Sequence, residues 1–231
     1  LARPRLFADA ATLAALRRGR DRVQQAILDD LADQLRRGHD GTYVHRTVTA
    51  ALVGLLTGKD RWCDEAVART MELCARPRWG YHDVPDVMGW NNDRDAGMRL
   101  FETAMVYDWL GERLTGEQRA VVRERLAHFA GIVAGVTRLQ AGYWYPRAHE
   151  AHGQGVWFGL CAAAIALLGD EPAAADWLDW THGNVRDALD HLPPDGIVEW
   201  NVFNIQWLVL TVMALHRHLG RPPAGDLEPL R

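Results

Sequence analysis

A chain of 231 residues that is 48% hydrophobic and 24% charged has the composition of an ordinary globular protein and can bury the core of one domain. Its net charge of −4 argues against general nucleic-acid binding, although a locally basic cleft can still accept an acidic ligand. No apolar run reaches the roughly 18 residues of a membrane span, and three cysteines do not make a disulfide framework.

Apolar residues recur at steps of three and four along almost the whole chain, which predicts helices and no strands. The predicted helices span residues 8–18, 21–37, 43–57, 60–75, 95–111, 115–137, 152–168, 172–191 and 201–219. Glycines such as Gly58 and Gly169 follow apolar runs and predict helix ends, while Thr115 and Gln118 have the spacing of a capping box.

Two turns in this series are alike. Residues 56–60 and 168–172 each end an apolar helix and lead into a helix rich in Trp and Ala, which is a weak internal repeat. The predicted fold is therefore all-α and is built of antiparallel helical hairpins. Such hairpins form a solenoid, a bundle or a closed α/α toroid.

Two long loops, 76–94 and 138–151, interrupt the helices, and loops of this length are uncommon unless they are functional. Their aromatic and amide side chains are suited to stacking on sugars and to binding hydroxyl groups, or else they plug the ends of the helix array. These residues are Trp79, Tyr81, His82, Trp90, Asn91, Asn92, Tyr143, Trp144 and Tyr145.

Two segments at the starts of predicted helices carry the strongest indication of function. The first is Tyr-Trp-Tyr-Pro-Arg-Ala-His-Glu-Ala-His-Gly-Gln-Gly at 143–155, and the second is Pro-Asp-Gly-Ile-Val-Glu-Trp-Asn-Val-Phe at 194–203. Together with the opening Arg-Pro-Arg-Leu-Phe and with Ala-Met-Val-Tyr-Asp-Trp-Leu at 104–110, they resemble the heparinase II/III-like polysaccharide lyases.

The resemblance implies that residues 1–231 are a single incomplete (α/α) toroid domain, a portion of a larger lyase with a β-sandwich region. It implies β-elimination of a uronic-acid-containing polysaccharide, either a glycosaminoglycan or alginate. The expected partner is an acidic polysaccharide or oligosaccharide, with no nucleic acid and no membrane, and the expected location is periplasmic or secreted. No cofactor is expected in this segment, while a structural metal elsewhere in the full-length protein is compatible with the family.

The resemblance also assigns catalytic positions. His149 matches the family's histidine-or-asparagine position, His152 matches a polar position that faces the substrate, and Phe203 occupies the position of the catalytic tyrosine. Phenylalanine cannot transfer a proton, which leaves three explanations. Phe203 is a Tyr→Phe substitution that traps a substrate, or the natural enzyme uses Tyr143 or Tyr145 instead, or either the register differs or catalysis is lost.

The expected substrate-binding residues are aromatic, amide and charged residues close to these positions. Gln154 can donate to a carboxylate, and Glu199 can orient a histidine or an arginine. The full set is Trp90, Asn91, Asn92, Arg94, Tyr145, Arg147, Gln154, Trp157, Glu199, Asn201 and Gln206. For the histidines in particular, an ordinary place in the core or on the surface is the competing explanation.

Three alternatives remain open at this point. His149 and His152, with Glu150 beside them, have a spacing that permits zinc, but no third ligand is evident and no metal is predicted. Asp195 and Glu199 can serve as the acid and base of an α/α-toroid glycoside hydrolase. Finally, the chain can be a carbohydrate-binding helical array without catalysis.

Overall fold

The computed structural model describes residues 3–38, 45–80, 94–138, 151–190 and 202–220, apart from the side chains of residues 94, 151–152 and 202–205. Within these ranges the chain forms nine α-helices and no strand, which confirms the predicted all-α class. The helices are α1 (Ala10–Arg18), α2 (Arg22–Arg36), α3 (Arg46–Thr57), α4 (Asp60–Ala75), α5 (Arg94–Trp109), α6 (Gly116–Arg138), α7 (Ala151–Leu167), α8 (Ala174–Asp190) and α9 (Val202–Leu219).

Local signals fix several helix ends. The Gln118 amide donates to the Thr115 hydroxyl at 3.2 Å, and the Gln118 side chain accepts from the Thr115 amide at 3.0 Å, so the predicted capping box is present. Gly58 and Gly169 have φ angles of 69° and 83°, in the left-handed region that glycine adopts without strain. These two residues end α3 and α7, so the two turns that are alike in sequence are also alike in conformation.

Helices α3, α5, α7 and α9 pack side by side in one row, while α2, α4, α6 and α8 join them and pack against the row. The helices of the row run in the same direction, because contacts join residues at corresponding positions along them. Gly97 of α5 meets Gly155 of α7 near their starts, and Tyr107 of α5 donates to Asp170 just beyond the end of α7. Within the described part, each helix from α2 onward also packs against the next helix of the chain.

Helix α7 is the centre of the fold. Residues 153–167 are all buried, and the helix is apolar on every side. Both α5 and α9 flank it in the row, and α6 and α8 cover it. The three cysteines, Cys63, Cys74 and Cys161, are buried and free, as expected of small core residues.

The N-terminal segment closes the end of the row at which the parallel helices terminate. The amides of Arg5 and Leu6 donate to Asp108 at 2.6 and 2.8 Å, and the Trp109 indole donates to the Leu6 carbonyl at 2.8 Å. Arg5 also donates to the carbonyl of Leu168 at 2.7 Å, beyond the end of α7. These bonds tie the segment to both α5 and α7.

Helix α1 continues this closure toward the two outer members of the row. Its N-cap, Asp9, pairs with Arg217 of α9 at 2.6 Å, and Arg17 near its end donates to the Leu55 carbonyl of α3. Segment 3–9 and α1 thus link the C-terminal ends of all four parallel helices. Among the described residues, none of the helices is long and apolar enough to cross a membrane.

Candidate functional site

The candidate segments of the sequence enter the fold at one end of the parallel row. Loop 76–94 leads into α5, loop 138–151 into α7, and segment 194–203 into α9. Because these three helices are parallel neighbours, their first residues, Arg94, Ala151 and Val202, lie at the same end of the molecule. The topology therefore brings together the points at which the three segments lead into their helices.

Three glycines set the spacing of this end. A Cβ added to Gly159 would lie 2.5 Å from the Cα of Gly97, and one added to Gly97 would lie 2.7 Å from the carbonyl carbon of Gly155. No side chain fits at such distances, so the backbones of α5 and α7 are in direct contact. Gly155 and Gly159 thus have a packing role that holds the starts of α5 and α7 together.

An aromatic cluster fills the space between this end and the N-terminal segment. The rings of Phe101 and Phe158 lie 4.5 Å apart, Phe158 and Trp207 lie 5.4 Å apart, and Phe7 meets Phe101 edge-on at 6.3 Å. Met98 belongs to the same buried cluster. The cluster supports α5, α7 and α9 from within, one layer below their first turns.

A histidine–carboxylate pair lies beside this cluster and was missed by sequence reasoning. His45, the N-cap residue of α3, pairs through Nδ1 with Glu102 of α5, and the two side chains are 27% and 14% exposed. Such a carboxylate fixes the orientation of the imidazole ring. The two residues are far apart in sequence, and no local sequence pattern predicts that they pair.

The predicted site residues fall into two groups. Gln154 and Trp157 of α7 are each 3% exposed, so their side chains are buried in the core, whereas Gln206 of α9 is exposed. Arg94, His152 and Phe203 lie in the first turns of α5, α7 and α9, but their side chains are outside the described part. The remaining predicted residues lie outside the described ranges: Trp90, Asn91, Asn92, Tyr145, Arg147, His149, Glu199 and Asn201.

The structure shows where the side chain of one loop aromatic, Trp79, lies. Trp79 is fully buried, donates from its indole to the Leu73 carbonyl at 3.0 Å, and stacks on Phe129 with ring centroids 4.3 Å apart. It is a core residue that plugs the helix array, which was the structural alternative for the loop aromatics. Tyr143, Glu150 and Asp195, which belong to the alternative explanations, lie outside the described ranges.

The described residues hold no group of three or more His, Cys, Asp or Glu side chains that could bind a metal ion. The starts of three parallel helices carry the partial positive charge of the helix dipoles. This arrangement favours an anionic ligand. A comparison of the chain with models of known protein families finds no match, and neither does a comparison with curated protein sequences.

Proposed function

We propose that this chain is the helical part of a polysaccharide lyase, which cleaves a uronic-acid-containing polysaccharide by β-elimination. The observation that carries the proposal is the convergence of α5, α7 and α9 at one end. The segments that resemble the lyase motifs precede α7 and α9, and the aromatic and amide loop precedes α5. These three segments can form a single site only if the helices that follow them begin at the same end of the molecule.

The chemistry of elimination fits the electrostatics of that end. The enzyme must remove the proton at C5 of the uronate, and this proton becomes acidic only when the neighbouring carboxylate is neutralised. Helix N-termini and nearby guanidinium groups supply that neutralisation. On this proposal Arg94 and Arg147 contribute positive charge, and the acidic polymer lies across the starts of the parallel helices.

The proton transfers are assigned by the resemblance. His149 neutralises the carboxylate or takes the C5 proton, and His152 faces the substrate. The position of Phe203, in the first turn of α9, is where a tyrosine would protonate the O4 leaving group. Its phenyl ring has no proton to give, so we propose that the chain binds its polymer and turns it over slowly or not at all.

The arrangement of the helices in an incomplete (α/α) toroid and a secreted or periplasmic location are parts of the same proposal. Support for the toroid comes from segment 3–9 and α1, which together link the C-terminal ends of α9, α7, α5 and α3. A polymeric acidic substrate supports the location, because such a polymer does not cross a membrane.

The test is the substitution Phe203→Tyr in the gene product that contains this chain, assayed with heparan sulfate, chondroitin sulfate, hyaluronan and alginate. We expect the rate of elimination, followed by the ultraviolet absorbance of the unsaturated C4–C5 product, to increase ~10²–10⁴-fold, since that is the usual contribution of general acid–base catalysis. Adding His149→Ala should abolish the gain while the polymer still binds.

Other outcomes point elsewhere. New reducing ends without new absorbance would identify a glycoside hydrolase, and binding without cleavage by either form would identify a carbohydrate-binding domain. Cleavage by the Phe203 form with no gain on Phe203→Tyr would show that position 203 is not the proton donor.

A further inference from the structure

A basic cavity lies at the opposite end of α7 from the candidate lyase site. It has a volume of about 440 Å³ and is lined by four arginines, Arg3, Arg5, Arg119 and Arg123, together with Tyr107 and Asp170. A second cavity of about 510 Å³ shares Arg123 and Asp170 with it, extends to Trp177, and adds the carboxylates of Glu124 and Glu171 at the side away from Arg119. We call the two cavities the arginine groove. Since α7 has 17 residues, the groove lies roughly 25 Å from the start of that helix.

The one carboxylate of the first cavity is already occupied. Asp170 pairs with Arg3 and accepts a hydrogen bond of 2.8 Å from the Tyr107 hydroxyl, while the Arg3 guanidinium lies 4.2 Å from the Tyr107 ring centre. Burial opposes ionisation of Asp170, but the Tyr107 hydrogen bond and the charge of Arg3 outweigh it and hold its pKa below the usual value. Arg119 and Arg123 have no carboxylate partner among the described residues.

Arg5 lies under the positive charge of Arg3. Burial lowers the pKa of Arg5, and the positive charge of Arg3 lowers it further, although Asp108 and Asp170 act in the opposite direction. In a chain of net charge −4, this is a local excess of positive charge. A bound anion would relieve the repulsion, and arginine is the side chain best matched to a planar or tetrahedral oxyanion.

Two of the guanidinium groups are held in position before any ligand arrives. Arg5 donates to the carbonyls of Ile165 at 3.2 Å and Leu168 at 2.7 Å, and Arg119 donates to the carbonyl of Gly111. A guanidinium has five N–H donors, so Arg119 retains donors for a ligand. A side chain that is already fixed loses less entropy on binding.

Arg123 and the start of α6 complete the site. Arg123 is exposed and has no ion-pair or hydrogen-bond partner among the described residues, so its whole charge is open to a ligand. Gly116, the first residue of α6, also lines the cavity, and no atom lies within 4 Å of the place where its Cβ would be. The positive end of a 23-residue helix therefore opens onto the arginines.

We propose that the arginine groove is a second binding site, which takes an oxyanion group such as sulfate or phosphate between Arg119, Arg123 and the start of α6. The site is independent of the proposed lyase function. The group is either a free ion or a substituent of an acidic saccharide, and the two sources share the chemistry that the groove recognises.

The test is calorimetric titration of the chain with inorganic sulfate and with inorganic phosphate, at ionic strength held constant with sodium chloride. We expect saturable binding at one site that weakens by on the order of 10-fold or more in Arg119→Gln/Arg123→Gln, because charge-assisted hydrogen bonds are lost. Arg123→Gln alone, which removes an exposed side chain without a partner, should weaken binding without affecting folding. The matched control is Arg186→Gln, an exposed arginine of α8 outside the groove, which should bind like the unchanged chain.

A sulfated disaccharide in the same titration distinguishes the two sources. Binding at least 10-fold tighter than inorganic sulfate, with the gain lost in Arg119→Gln/Arg123→Gln, identifies a saccharide substituent, since neighbouring contacts then add to the anion's own. Equal affinities identify the free ion. The proposal is overturned if neither ligand binds the unchanged chain, or if a folded double variant binds as tightly as the Arg186→Gln control.

Discussion

The two ends of the row formed by α3, α5, α7 and α9 are built in opposite ways. At the C-terminal end, Arg5 donates to carbonyls at the end of α7, Arg17 donates to α3, and Arg217 pairs with the N-cap of α1. Parallel helices present unpaired carbonyls and partial negative charge at this end, and arginines supply both donors and charge. The end is thereby closed by the chain itself.

At the N-terminal end, the same parallel arrangement presents the partial positive charge of the helix dipoles. The described part of the chain offers there the first turns of the helices, an aromatic cluster beneath them and the His45–Glu102 pair. The comparison teaches that a parallel row needs cations at one end and favours anions at the other. A uronate polymer is one such anion, which is why the proposed site and the closed end lie at opposite ends of α7.

The comparison of the two ends depends on the direct contact between α5 and α7. Gly159→Ala should disrupt this contact and should have the largest effect on stability. The new Cβ would lie 2.5 Å from the Cα of Gly97, and backbone cannot move aside as a flexible side chain can. We expect a loss of at least about 3 kcal/mol in the free energy of unfolding, measured by urea denaturation.

Gly135→Ala is the matched control for that variant. Gly135 lies in α6, is exposed and has no atom within 4 Å of its Cβ position, so alanine should stabilise the helix by about 0.5–1 kcal/mol. Equal stability of the two variants would show that α5 and α7 are not in backbone contact.

The helices were predictable because their signals are local. Three- and four-residue periodicity placed α4 at 60–75, where it is found, and Thr115 with Gln118 marked the start of α6. The left-handed turns at Gly58 and Gly169 followed from glycine after an apolar run. None of these predictions required knowledge of what the helix packs against.

Contacts between distant residues were not predictable. Gly97 and Gly159 meet across two helices, and His45 pairs with Glu102, although neither sequence neighbourhood indicates its partner. The direction of a loop side chain was equally hidden, since Trp79 is in the core. The site assignments that rest on the resemblance, His149 and Phe203 above all, stay predictions.

Asp108 tests the closed end and should give the second largest effect. Its Oδ2 accepts from the amides of both Arg5 and Leu6, so Asp108→Ala leaves two donors unpaired. We expect a loss of about 2–3 kcal/mol in the free energy of unfolding. Asp108→Asn keeps one acceptor oxygen in that place and should lie within about 1 kcal/mol of the unchanged chain. If both variants lost the same stability, the carboxylate charge and not the two hydrogen bonds would hold the segment.

The smallest effect concerns pH and sharpens the same comparison. Burial raises the pKa of Asp108, against the opposing effect of the two amide donors and of Arg3. A carboxyl whose pKa is raised in the folded state binds a proton there before the unfolded chain does. Its contribution to stability is therefore complete below the unfolded pKa and is lost as pH rises through the folded pKa.

The pH prediction is read from differences between variants, in which other titrating groups cancel. The stability of the unchanged chain minus that of Asp108→Asn should increase as pH falls from 7 toward the ordinary carboxyl pKa. Asp170 is the control, because its pKa is lowered. Its corresponding difference, measured with Asp170→Asn, should stay constant above the ordinary carboxyl pKa and decrease only below it. If the stability difference between the unchanged chain and Asp108→Asn did not change between neutral pH and the ordinary carboxyl pKa, the hydrogen bonds from the N-terminal segment would compensate fully for the burial of this carboxylate. The charged form of Asp108 would then hold the C-terminal end of the row without a desolvation penalty.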